Sequence, residues 1–117
     1  VDYINAHATS TSIGDAVEVK ASKHLLKSRA DKVAISATKS LIGHTLGAAG
    51  ALGAVASTLT IHTGQIHPTA NYDDPDPACR LEGISRSLQE RKVRTALVNS
   101  FGFGSNNATV VLKKFVA

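Results

Sequence analysis

The sequence predicts an α/β fold, one small mixed sheet with helices packed on it, and three observations carry that expectation. Short apolar runs rich in β-branched residues alternate with helix-like stretches along the first half of the chain. Residues 40–72 hold no Asp, Glu, Lys or Arg, so a helix there has no charged face to give to solvent. Near the C-terminus two β-rich runs flank a glycine-rich connection, the pattern of a hairpin. The resulting order, strand, helix, strand, helix, loop, strand, strand, suits helices layered on a sheet.

The first strand is expected at residues 2–6, ending in the polar stretch that carries His7. Asp15 is expected to cap the helix that follows, with Glu18 three positions on completing a capping-box-like pair. Val17, Ala21 and Leu25 recur at intervals of four and mark its expected buried face. Lys20, Lys23 and Lys27 fall on other faces, and the late lysines with Arg29 suit the negative end of the helix dipole. Val33, Ala34 and Ile35 read as the second strand.

Residues 44–63 read as one helix that begins at His44, long enough at ~1.5 Å per residue to cross a bilayer. Gly43 and Gly47 even have the spacing of a membrane packing motif. His44, Ser57, the threonines and the many Ala and Gly residues nevertheless make the run weakly hydrophobic. No membrane span is expected; the expectation is a buried small-residue helix with protein on every side. Pro68, Pro75 and Pro77, with Asp73, Asp74 and Asp76, mark a loop crossing the surface. Residues 95–100 and 108–112 read as strands joined antiparallel by residues 101–107, where glycines permit positive φ.

A chain of 117 residues suffices for one small core, and nothing divides it into domains. It contains no methionine, so Val1 is not an untouched translation start, and a piece of a longer protein is expected. The single Cys79 excludes an intrachain disulfide framework and fits a reducing compartment. The net charge of +4 is spread along the chain, without aromatic residues interleaved in the first two basic groups. No nucleic-acid partner is therefore expected. The positives read as solvated faces, or as attraction for an acidic partner protein.

His7 and His44 each follow a strand-like run, and Lys39 stands close to the second. Both strands belong to one small sheet with their ends at one edge, so the two rings are expected to converge. Two such histidines with a nearby lysine suit a site that stabilises negative charge developing on a carbonyl oxygen or carboxylate. At a helix N-terminus the dipole would keep His44 neutral and able to donate to an oxyanion. No third ligand stands at useful spacing, so no metal is expected. Cys79 lacks a strand-to-helix elbow and reads as structural or exposed rather than nucleophilic. The loop at 101–107 is either a plain hairpin or a source of backbone N–H donors for an oxyanion hole.

These residues resemble the C-terminal part of the β-ketoacyl-[acyl-carrier-protein] synthases, the condensing enzymes of fatty-acid synthesis. The resemblance runs almost end to end. It is carried by Val1-Asp2-Tyr3-Ile4-Asn5-Ala6-His7-Ala8-Thr9-Ser10-Thr11 and by Gly14-Asp15 with Glu18. Thr38-Lys39-Ser40, Gly43-His44, Gly47-Ala48-Ala49-Gly50 and Asn99-Ser100-Phe101-Gly102-Phe103-Gly104 complete it. The form is closest to the elongating class, whose site is Cys-His-His.

The resemblance implies a thiolase-like fold of two similar α/β halves with buried central helices, paired into a homodimer. The chain, residues 1–117, would hold the later part of the second half. His7 and His44 would bind the malonyl thioester, promote its decarboxylation and stabilise the enolate, with Lys39 tuning the pair. Thr9 and Thr11 would hydrogen-bond the phosphopantetheine arm. The Phe103 amide would serve the oxyanion hole and its ring would gate the acyl pocket, with Asp15, Glu18, Gly102 and Gly104 in support. No cofactor is implied, because the substrates ride on acyl carrier protein, the implied partner. The nucleophilic cysteine would lie in the missing N-terminal part, so the chain alone is expected to be inactive. A bacterial cytoplasm or an organelle, plastid or mitochondrion, would house the whole enzyme.

The family's usual glutamate is Gly53 here, nine residues after His44 and, within one helix, on the side away from it. The usual Gly-Gly-Thr-Asn is Gly104-Ser105-Asn106-Asn107. A non-catalytic chain-length-factor partner and a polyketide ketosynthase remain as alternatives, separated first by the upstream cysteine. A thiolase proper uses a second cysteine in this half, and Cys79 is wrongly placed for it.

Overall fold

The three-residue strands β1 (Tyr3–Asn5) and β2 (Ala34–Ser36) are buried along their whole length and form the covered part of the sheet, whereas its last strand (Asn107–Lys113) is largely exposed. The computed structural model describes residues 1–116. In chain order the elements are β1 (Tyr3–Asn5), α1 (Gly14–Leu26), β2 (Ala34–Ser36), α2 (Lys39–Ile42), α3 (Ala49–Thr63), β3 (Gln65–Ile66), β4 (Gln89–Glu90), β5 (Thr95–Phe101) and β6 (Asn107–Lys113). Single 3-10 segments lie at Lys27–Lys32, Leu46–Ala48, Pro77–Cys79 and Phe103–Ser105.

The main sheet has the order β2-β1-β5-β6. β1 runs parallel to both β2 and β5, and β6 closes the sheet antiparallel to β5. Ile4, Ile35 and Leu97 face one way and pack with Val19 and Leu26 of α1. Tyr3, Ala34 and Ala96 face the other way and pack with Ile61 of α3. The strand period of two thus sorts the core into two layers, one under each helix. The expected α/β mixed sheet and the antiparallel hairpin are both present.

Several expectations of detail are corrected. Asp15 does not cap α1. The N-cap is Ile13 with no side-chain cap, and the Thr11 hydroxyl accepts the Gly14 N–H at 3.1 Å instead. The stripe of Val17, Ala21 and Leu25 is exposed, while Glu18 and Ser22 are buried. The helix turns a carboxylate inward because backbone N–H groups of the β1 end wait for it there, a demand that the apolar spacing does not reveal.

The helix expected from His44 begins at Ala49, five residues later. Gly43 at φ 78° and Leu46 at φ 50° break the α-helical path between α2 and α3. By length and composition Leu46–Thr63 could cross a membrane. Here α3 lays Gly53, Ser57 and Thr60 on the sheet and leaves Leu52, Val55 and Leu59 exposed among the described residues. Protein covers one face of it within this chain, not every side.

The antiparallel pair β3–β4 was not expected, since two-residue strands carry no period. Of the glycines in the β5–β6 connection, Gly102 keeps an ordinary φ of −117°, while Gly104 and Ser105 take the left-handed conformation. Residues 83–85 close the free edge of β2, with Ile35 N–H donating to Gly83 O and Ser85 N–H to Ile35 O, both at 2.8 Å.

Candidate active site

Parallel β1 and β2 end at the same edge of the sheet, and β5 ends beside them. His7 follows β1 by two residues, at the start of a turn in which Ala8 and Ser10 take positive φ. Glu18 holds that turn. The residue is 6% exposed, and its carboxylate accepts the His7 N–H, the Ala8 N–H and the Asn99 side-chain amide, each at 2.9 Å. Asn99 is fixed in turn by the Thr109 hydroxyl at 3.0 Å, which ties the turn to the hairpin. Asp15 accepts the Ser10 N–H at 3.1 Å, and burial raises its carboxyl above the usual value.

The His7 and His44 rings lie edge to face, 5.8 Å between centroids and 89° between planes. The expected convergence is present. Each ring spends its Nδ1 on a backbone donor: Phe101 N–H reaches His7 Nδ1 at 3.3 Å, and Leu46 N–H reaches His44 Nδ1 at 3.2 Å. A neutral imidazole that accepts at Nδ1 carries its proton on Nε2. In that tautomer each ring keeps an Nε2–H donor, and among the described residues no hydrogen bond engages it.

His44 precedes the helix rather than opening it as expected, and the Leu46 N–H at its Nδ1 sets the tautomer. Burial holds the His7 imidazole below its usual value; the Lys39 ammonium adds to this, Glu18 opposes it, and His44 adds a further push. Burial also pushes Lys39 down, against the pull of Glu18 and Asp15. Lys39 opens α2 and stands half-buried.

The family profile described as beta-ketoacyl synthase, C-terminal domain, matches residues 1–73. The chain belongs to that family. It is 47% identical over 97% of its length to 3-oxoacyl-[acyl-carrier-protein] synthase 2 of Coxiella burnetii, spanning 28% of that protein. It is 45% identical over 98% of its length to the chloroplastic 3-oxoacyl-[acyl-carrier-protein] synthase I of Hordeum vulgare, spanning 25% of it. Among solved structures, it matches a type II polyketide ketosynthase, bound to a hexaketide and in complex with its acyl-carrier protein. There the TM-score is 0.93 with 38% identity, over 98% of this chain and 28% of that one. It matches the ishigamide ketosynthase/chain length factor at a TM-score of 0.91 and 37% identity, over 99% of this chain and 28% of that one. The fold is thiolase-like. The chain spans only about a quarter of the length of these relatives.

Within this β-ketoacyl synthase domain the other expected site residues are placed unevenly. Thr9 is half-buried two residues beyond His7, whereas Thr11 is exposed with its hydroxyl on Gly14. The Phe103 ring is 100% exposed, so among the described residues it touches neither histidine. The ring beside the site is that of Phe101, 5.3 Å from His7. Gly102 N–H donates to Asn106 O at 2.8 Å, and Gly104 supplies the positive φ that the turn needs.

Gly53 faces the sheet, where a Cβ would come within 3.1 Å of Val98 Cγ1 and 3.3 Å of Asn5 Oδ1. The half-turn count from His44 has no geometric meaning, because the intervening chain is not α-helical. Cys79 is half-buried and burial raises its thiol, with Asp76 and Asp15 adding, which suits no nucleophile.

Sequence reasoning missed two groups. Asn99 is one, and the other is the polar cluster of Tyr3, Asn5, Ser36, Thr38 and His67 beneath α2. Asn5 and Thr38 stand inside the motifs already singled out, but nothing near His67 in sequence marks it.

Proposed function

We propose that this chain is the C-terminal part of a β-ketoacyl-ACP synthase, which joins an acyl group to malonyl-ACP by decarboxylative Claisen condensation in fatty-acid elongation. The observation that carries the reading is the pair of histidines, edge to face at 5.8 Å, each accepting a backbone N–H at Nδ1 so that Nε2 is left to donate. Two such donors suit a thioester carbonyl oxygen. As the bond between the malonyl carbon and its carboxylate breaks, its electron pair moves into the carbonyl and CO2 leaves. The enolate oxygen then accepts from His7 and His44, which stabilises the charge where it develops.

The enolate carbon next attacks the acyl thioester on a cysteine upstream of Val1, and collapse of that adduct expels the cysteine thiolate. Burial disfavours a second proton on His7, and the Lys39 ammonium adds to this because that proton would have to face it. Thr9 and Thr11 contact the phosphopantetheine arm. The Phe103 amide serves the oxyanion hole of the condensation step, its ring closing over the acyl pocket once the missing part is present. The whole enzyme uses acyl carrier protein and pairs as a homodimer, in a bacterial cytoplasm or an organelle. The relatives named as bacterial and chloroplastic 3-oxoacyl-[acyl-carrier-protein] synthases support the fatty-acid assignment.

The test is the full-length protein with acyl- and malonyl-loaded carrier. Formation of β-ketoacyl product with one CO2 released per condensation is expected. Absence of a cysteine at the upstream elbow, with no product, would assign the chain to a partner subunit of the chain-length-factor kind.

A further inference from the structure

α2 is a single turn of four residues with none of them buried, too short to hold itself by helical cooperativity. Its N-cap, Thr38, spends no side-chain bond on the helix. The Thr38 hydroxyl instead lies 3.0 Å from His67 Nε2. His67 Nδ1 donates to the Pro68 carbonyl at 2.9 Å, and the tautomer that does so presents Nε2 as an acceptor. Thr38 Oγ1 also accepts from Asn5 Nδ2 at 2.7 Å, which joins the ring to the end of β1. On either side the same segment grips the turn again. Ala37 N–H donates to Thr69 Oγ1 at 3.2 Å. Ser40 Oγ accepts the Ala70 N–H at 2.9 Å while donating to the Ala37 carbonyl at 2.7 Å. Residues 67–70 therefore bond to every residue of 37–40 except Lys39, whose side chain is left for the site.

We propose that residues 67–70 form a clamp that positions Lys39 and, through α2, His44, and that His67 is its central positioning residue. The proposal rests on the function proposed above for that site. A turn without its own core needs an outside template, and a ring acceptor on the N-cap hydroxyl supplies one at the residue next to Lys39. Loss of the acceptor leaves the Thr38 hydroxyl without its ring partner and lets the turn drift, and small displacements of a positioned group cost up to ~100-fold in rate.

The experiment uses the full-length enzyme with His67→Phe, His67→Gln and Thr38→Val. His67→Phe should slow malonyl decarboxylation about 10-fold. Acylation of the upstream cysteine and the KM for malonyl carrier should stay within about 2-fold, as expected of a positioning loss rather than a binding loss. Amide hydrogen exchange should rise over residues 37–44 and not elsewhere. His67→Gln, whose side-chain oxygen can take the Thr38 hydroxyl, should recover most of both effects. The double variant His67→Phe with Thr38→Val should lose little more than either single one. Unchanged exchange over 37–44, acylation falling as far as decarboxylation, or His67→Gln no better than His67→Phe would each overturn the clamp. A His44→Ala control that leaves decarboxylation intact would overturn the site assignment instead, and the exchange result would still decide the clamp.

Discussion

His7 and His44 meet edge to face with centroids 5.8 Å apart, although α1, β2 and α2 separate them in the chain. The parallel pairing of β1 and β2 brings the two strand ends to one edge, and a backbone N–H at each Nδ1 sets the tautomer. Local sequence places each ring after a strand; only the pairing places them together.

Replacing either ring by alanine in the full-length enzyme should cut malonyl decarboxylation by about 100-fold or more, the usual cost of one oxyanion donor. Transfer of the acyl group to the cysteine should suffer less. The two partial reactions, measured separately, decide it: equal losses would make the rings structural.

The acid limb of the decarboxylation profile should lie below the usual histidine value of 6.5, because burial and Lys39 hold His7 down. Lys39→Met removes a positive neighbour, so the limb should move up in pH, towards the ordinary value. The same depression bears on stability. Between the folded and unfolded values of His7 the unfolded chain binds more protons, so this contribution is full above 6.5 and is lost as pH falls below it. A limb that stays in place in Lys39→Met would show that the ammonium does not tune the ring.

Glu18→Ala should destabilise the enzyme by about 3 kcal/mol, since three N–H donors lose a buried charged acceptor at once. Glu18→Gln keeps one side-chain oxygen and should fall between. A urea midpoint lowered at constant slope is the expected reading. A midpoint unmoved in Glu18→Ala would mean that the turn at His7 holds without it.

The isolated 117-residue chain should make no β-ketoacyl product and should self-associate. Val55 and Leu59 on α3, Val17 and Leu25 on α1, and Val110 and Val111 on the open edge strand β6 are all exposed. Sedimentation and thermal unfolding check this beside the activity assay. A cooperatively folding, soluble monomer with condensing activity would overturn both the placement of the nucleophile and the reading of those faces as incomplete.

The sequence alone determined the fold class, the four strands of the main sheet and the identity of the paired histidines. Period-two strands, a charge-free helix and a glycine-marked hairpin are local patterns, so residues a few positions apart suffice to declare them. His7, Lys39 and His44 were legible because they stand at the ends of such elements, inside dense motifs.

Tertiary structure decided what depends on partners distant in the chain. The inward turn of Glu18 answers N–H groups at His7 and Ala8, and it overrides the apolar stripe of Val17, Ala21 and Leu25. The start of α3 at Ala49 follows from the backbone breaks at Gly43 and Leu46, where a charge-free run looked continuous. The exposed Phe103 ring, and the Phe101 ring beside His7, follow from the course of the hairpin turn. His67 meets Thr38 across 29 positions, and a hydrogen bond over that span leaves no periodic trace. Apolar periodicity is written into neighbouring residues, whereas the satisfaction of a buried polar group is settled only when distant segments meet.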